Sequence, residues 1–155
     1  MSLAPMVAAV SNTGAIGFLT AITQPTPELL RHEIRKTREL TSKPFGVNMS
    51  FLPAAAPPDY EAYIKVILEE GIKVIETAGN NPGKYIQMFK DGGCIVIHKC
   101  VTIRHAKTAL KFGADIISMD GFGKCVEYDA LLLLMSFELI LSQNNEKNVP
   151  ATLDR

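Results

Sequence analysis

Much that would mark a function class is missing from this chain of 155 residues. It carries no excess of either charge, 16 lysines and arginines against 16 aspartates and glutamates, with a pI near 6.8. A nucleic-acid partner usually selects a basic surface, so none is expected. No stretch approaches the roughly 18 consecutive apolar residues of a bilayer-spanning helix, and no membrane partner is expected either. The apolar residues 1–19 have no basic lead and are interrupted by Pro5 and by Ser11, Asn12, Thr13 and Gly14, which argues against a secretory signal. Cysteine is scarce and odd in number: Cys94, Cys100 and Cys125, with no C-x-x-C pair. That excludes a disulfide framework and a zinc cluster, and suits a reducing compartment, the cytoplasm. No G-x-G-x-x-G follows the first strand-like segment, so the dinucleotide fingerprint is absent too.

What is present, 47% hydrophobic and 21% charged residues, is the composition of one globular domain able to bury a core. Helical and strand-like segments alternate along it. Residues 27–40 form an amphipathic helix, with Leu29, Leu30, Ile34, Thr37 and Leu40 near a 3.6-residue period, Thr26 as cap and Pro27 at the first position. Further helices are predicted over 60–70, 84–90 and 102–112, and strands near 16–19, 45–49, 74–76, 95–98 and 115–118. Gly71, Gly92 and Gly113 recur every 21 residues, each between a helix and a strand. Glycine supplies the left-handed residue that ends a helix, and this repeat length is one helix, one strand and two short loops. Strands apolar on both faces, linked through helices, are parallel. The choice is between an open doubly wound sheet and a (β/α)8 barrel. Short uniform repeats favour the barrel, in α/β form with about five parallel βα units. A full barrel takes roughly 250 residues. A fragment, an altered gene product, and a sheet completed by a second copy all remain open. The partial barrel is expected over residues 1–143, followed by a polar tail at 144–155; the apolar run 131–141 either covers the core or drives self-association through exposed apolar surface.

In such folds ligands sit at the carboxyl ends of the strands. The residues expected there are Asn48, Thr77 with Gly79, Lys99 after His98, and Asp120 with Gly121. An amide can hydrogen-bond a flat heterocycle as donor and acceptor, and a lysine supplies charge for an anion or an electron-rich ring. Solvating a strand end, or capping the next helix, is the alternative role for each. His98, adjacent to Lys99 in its strand, is expected to face the other way, towards the helices.

Four segments share an ordered pattern: V-A-A-V-S-N-T-G-A-I-G-F-L over 7–19, K-P-F-G-V-N over 43–48, G-I-K-V-I over 71–75, and H-K-C-V-T-I-R-H-A over 98–106. With G-A-D-I-I-S-M-D-G-F over 113–122, this resembles the nitronate monooxygenase (2-nitropropane dioxygenase) family. The resemblance implies an FMN-dependent barrel that oxidises alkyl nitronates with O₂ to carbonyl compounds and nitrite. It places Asn48, Lys99, Asp120 and Gly121 around the FMN. A lysine near the pyrimidine edge of the flavin would stabilise negative charge there.

Three departures qualify what the resemblance implies. The family opens with a strand and loop of which only Ala4, Pro5 and Met6 are an echo here. The family's G-F-E-C-x-G-H-x-G, whose histidine is the base, is replaced by G-F-G-K-C-V-E-Y-D over 121–129. Aligning Cys125 puts Tyr128 at the place of the catalytic histidine, and a phenol of ordinary pKa near 10 is a poor base at neutral pH. The later strands and phosphate-binding loops have no counterpart, so weak FMN affinity is expected. A non-catalytic remnant of such an enzyme, or another FMN barrel such as an enoyl-thioester reductase, stays open beside the nitronate-oxidising reading.

Overall fold

The computed structural model describes residues 2–51, 57–79 and 82–119. Within them the chain runs α1 (Ala4–Asn12), β1 (Phe18–Thr20), a single 3₁₀ turn, α2 (Pro27–Leu40), β2 (Gly46–Phe51), α3 (Tyr60–Glu69), β3 (Val74–Gly79), α4 (Gly83–Asp91), β4 (Ile95–Cys100), α5 (Ile103–Lys111) and β5 (Ile116–Met119). All four strand pairings are parallel and the sheet order is β1-β2-β3-β4-β5. A doubly wound sheet would reverse its strand order part-way; this one does not. The fold is α/β, five successive βα units of a (β/α)8 barrel.

Helix starts follow their local chemistry. Thr26 Oγ1 accepts from Leu29 N at 3.2 Å with Pro27 next in line, Asp59 Oδ1 accepts from Ala62 N at 3.1 Å, and Thr102 Oγ1 accepts from His105 N at 3.2 Å. Each cap satisfies a backbone donor that the first helical turn leaves unpaired. The start of α1 is served from another element: Glu33 Oε1, on α2, accepts from Ala4 N at 2.7 Å in a buried contact.

Two expectations need correction. Gly71 and Gly113 have the positive φ that ends a helix, +68° and +96°, but Gly92 has φ −77° and the left-handed residue is Gly93 at +70°. An even 21-residue spacing is therefore a property of the sequence, while the chain turns one residue late after α4. The buried face of α2 is narrower than its periodicity implies. Leu30, Ile34 and Thr37 are buried, whereas Leu29 and Leu40 stay 46% and 47% exposed at the edges of the stripe.

The core lies between the sheet and its helices. Leu30 and Ile34 from α2, Ile64 and Ile67 from α3, and Ile86 and Phe89 from α4 are fully buried against Val47, Met49, Ile75 and Val96 of the sheet. Strand residues alternate faces. Val47, Met49, Phe51, Ile75, Thr77, Val96, His98 and Cys100 therefore face the helices. Asn48, Ser50, Glu76, Ala78, Ile97, Lys99 and Ser118 lie on the other face, the inner wall of a barrel.

Candidate functional site

Register places the inner-face residues in rows across the strands. Thr20, Asn48, Glu76, Ile97 and Ile116 are successive pairing partners, and Ser50, Ala78, Lys99 and Ser118 form the next row towards the carboxyl ends. Nearer the amino ends the same face carries Ile95, 48% exposed, while Ile116, 45% exposed, ends the row of Asn48 and Glu76. The polar side chains Asn48, Glu76, Ser50 and Lys99 run from the middle of the strands towards their carboxyl ends, the side where barrel ligands bind.

Gly46 positions this half. A Cβ there would stand 2.4 Å from Phe18 Cε1 and 2.7 Å from the Val74 carbonyl oxygen, so only glycine lets the Phe18 ring and β3 close on β2. Two residues on, Asn48 is held by Ser50, whose hydroxyl donates to Asn48 Oδ1 at 3.1 Å. The amide nitrogen of Asn48 is left as a donor with no hydrogen-bond partner among the described residues.

Glu76 sits beside Asn48 in the row, and Lys99 lies diagonally above it on the next strand. Lys99 Nζ is 2.8 Å from Glu76 Oε1, with the Glu76 side chain 14% exposed. Glu76 Oε1 is itself buried and receives no properly directed hydrogen bond, so the lysine contact is an ion pair without hydrogen-bond geometry. The result is a donor, an acceptor and a cation in sequence along Asn48, Glu76 and Lys99.

Of the residues expected at the strand ends, Asn48 and Lys99 are brought onto one wall. Thr77 is not. Its odd place in the alternation turns it to the helices, where it is fully buried and its hydroxyl lies 2.9 Å from His98 Nδ1. The carboxylate that completes the described wall is Glu76. Asp120, Gly121 and Tyr128 lie outside the described residues, as do the boundary at 143 and the apolar run 131–141.

His98 faces away from Lys99, as its strand position requires. It is buried, and its pKa is pulled below the ordinary imidazole value by that burial and, secondarily, by the charge of His105. It lines a cleft of about 330 Å³ on the helix side of β4, together with Cys100, His105, Thr108 and Phe112. Cys94 and Cys100 are free and buried; burial raises the Cys94 thiol pKa, and its Sγ lies 3.3 Å from the Ile72 carbonyl. Among the described residues, no group of histidine, cysteine or carboxylate side chains could hold a metal ion, and no helix is long and apolar enough to cross a membrane.

A parallel βα wall of five strands in sequential order, with polar residues from mid-strand towards the carboxyl ends, is that of a (β/α)8 barrel protein. Known proteins give that class a family. The profile of the nitronate monooxygenase family matches residues 1–124, and the chain belongs to that family. It is 33% identical over 116 residues to a (3aS,4S,5R,7aS)-5-hydroxy-7a-methyl-1-oxo-octahydro-1H-indene-4-carboxyl-CoA dehydrogenase of Rhodococcus jostii, covering 75% of this chain and 31% of that one. A probable nitronate monooxygenase of Bacillus subtilis is 28% identical, with 75% of this chain and 42% of that one covered. Among solved structures, FabK from Thermotoga maritima superposes with a TM-score of 0.67 at 32% identity, covering 74% of this chain and 35% of that one. A nitroalkane oxidase from Streptomyces ansochromogenes, at 23% identity and a TM-score of 0.64, covers 77% and 42% and shares the fold. The chain spans 31% to 42% of the length of these curated relatives.

The resemblance to this family implies FMN, whose ring would meet the polar side chains of the inner wall. Asn48 offers a donor, Lys99 a cation, and Glu76 Oε1 a buried acceptor lacking a donor.

Proposed function

We propose that this chain supplies the flavin-binding wall of an FMN-dependent oxidoreductase that converts alkyl nitronates and O₂ to carbonyl compounds and nitrite. The observation that carries the reading is the polar group on the inner wall: Asn48 and Glu76 paired at mid-strand, and Lys99 in the next row towards the carboxyl ends. Bound FMN would supply the electron acceptor between the nitronate and O₂. Asn48 would orient the ring by hydrogen bonding, and Lys99 would place a cation where negative charge develops. Asp120 and Gly121 would extend the site beyond β5, following the family motif. Buried free thiols suit a reducing compartment, and we place the protein in the cytoplasm.

Tyr128 would stand where the family has its histidine. A phenol takes a proton from carbon poorly at neutral pH. The substrate is therefore the pre-formed nitronate, which already carries the carbanion charge, rather than the neutral nitroalkane. The experiment is a pair of initial rates of nitrite release, from ethyl nitronate and from nitroethane, with FMN saturating. Nitrite from the nitronate alone is expected. No FMN-dependent nitrite from either substrate would overturn the reading.

A second reading is favoured by the 33% identity to the CoA-ester dehydrogenase: a flavin oxidoreductase acting on a CoA thioester. Anaerobic bleaching of the FMN by an acyl-CoA, without nitrite formation from nitronates, would select it.

A further inference from the structure

Glu76 Oε1 is buried and, although Lys99 Nζ stands 2.8 Å away, accepts no directed hydrogen bond from the described residues. A carboxylate oxygen out of reach of water and without a directed donor costs on the order of 1–3 kcal/mol, and a ligand N–H would remove that cost. Its neighbours sharpen the chemistry. Ser50 Oγ donates to Asn48 Oδ1 at 3.1 Å, which turns the amide so that Nδ2 is the group left over. Asn48 and Glu76 are direct pairing partners on β2 and β3, and Lys99, on β4, is 2.8 Å from Glu76 Oε1. Across three adjacent strands the wall therefore presents donor, acceptor, donor.

We propose that Glu76 is a ligand-binding residue. Its carboxylate accepts the imide N–H of a pyrimidine-2,4-dione edge, while Asn48 and Lys99 donate to the two flanking carbonyls. The isoalloxazine of a flavin carries that edge as C2=O, N3–H and C4=O, so the assignment rests on the FMN reading above and specifies which rim of the ring meets the wall. It also gives Glu76 two tasks that one group can perform together: fixing the Lys99 ammonium and recognising the imide. A glutamine could not reproduce both, because its amide would accept the N–H without the charge that holds Lys99.

The test uses a ligand change on the wild-type chain, which no folding defect can confuse. FMN and 3-methyl-FMN, identical but for the missing N3–H, are titrated into the full chain by flavin fluorescence. The wild type is expected to bind FMN on the order of tenfold to a hundredfold more tightly, the range for a hydrogen bond to a charged group. In Glu76→Ala, whose fold is checked by circular dichroism, the preference is expected to shrink to about threefold or less, with FMN itself bound more weakly. Equal affinity of the wild type for both flavins overturns the assignment and leaves the FMN reading standing. A preference that persists in Glu76→Ala also overturns it, by showing that the methyl group clashes elsewhere. Failure of the wild type to bind either flavin overturns the FMN reading and this assignment together.

Discussion

Replacing Gly46 with alanine tests how the wall is assembled. The new Cβ would lie 2.4 and 2.6 Å from the Cε1 and Cδ1 atoms of Phe18 and 2.7 Å from the Val74 carbonyl oxygen, all inside van der Waals contact. The ring can rotate away, because Phe18 is only half-buried. The carbonyl cannot, because β3 is tied into the sheet on both sides through its pairing with β2 and β4. Overpacking of this kind costs about 1–3 kcal/mol. The loss of glycine's freedom in the unfolded chain offsets about 0.4–1 kcal/mol of it. A net loss of about 1–2 kcal/mol is expected, read as a lower urea midpoint at unchanged m-value. Phe18→Leu in the Gly46→Ala background should recover part of the loss, since it relieves the ring contacts and leaves the carbonyl contact. A loss below about 0.5 kcal/mol would show that the strands part easily at this point. Complete recovery in the double variant would show that only the ring matters.

Further outcomes follow from groups elsewhere in the chain. Glu70 accepts from Arg31, Arg35 and Arg38, with the Arg35 contact at 2.8 Å leading the causes that hold its carboxyl below the ordinary value. Its contribution is complete above about pH 4.5 and lost as the pH falls through the lowered pKa; Glu70→Gln should cost about 1–2 kcal/mol at pH 7, where no loss in urea denaturation would refute the network's role. His98, held neutral by burial, contributes stability that is complete above its ordinary pKa of 6.5 and is lost below it. His98→Gln should flatten the fall in thermal midpoint between pH 7 and pH 5, and an unchanged slope would assign that fall to other groups. Lys99→Ala should abolish nitrite release from ethyl nitronate while Tyr128→Phe leaves it nearly intact; comparable losses in both would place Tyr128 in the chemistry. Native-state alkylation followed by peptide mapping should leave Cys94 unlabelled, since burial raises its thiol pKa, and rapid labelling would contradict that burial.

The order and type of elements could be read from hydrophobic period and helix caps because both act locally. Thr26 with Pro27, and Thr102 before α5, do in the structure what their chemistry predicts. The strand ends were less legible. β3 runs on through Thr77, Ala78 and Gly79, and β4 through Lys99 and Cys100, past the limits that apolar composition set at residues 76 and 98. Those extra residues stay extended because neighbouring strands continue alongside them, Ser50 with Ala78 and Ala78 with Lys99. Such pairing is non-local, and no property of Thr77 or Ala78 alone announces it. The glycine after α4 illustrates the same limit: two adjacent glycines can each end a helix, and tertiary context selects Gly93.

Asn48 and Lys99 could be found because each stands in a motif shared with a family. Glu76 stands in the matched part of the chain, yet it reads simply as the polar end of an apolar strand. Its partner was nevertheless encoded. Lys99 follows Glu76 by 23 residues, one 21-residue repeat plus 2. In a parallel sheet built from such repeats, that offset places the two side chains on the same face, on adjacent strands, one pleat apart. A carboxylate in a strand enclosed on one side by helices needs a cation, and the repeat specifies where that cation must come from. Thr77, adjacent to Glu76, has the opposite face, and His98 follows it by 21 residues, one whole repeat, so that pair stands side by side on the helix face, where the structure brings them within 2.9 Å. Spacing modulo the repeat therefore tells which residues of neighbouring strands share a face, and burial tells the two faces apart. In this chain Glu76 lies on the inner wall and Thr77 on the face that meets the core.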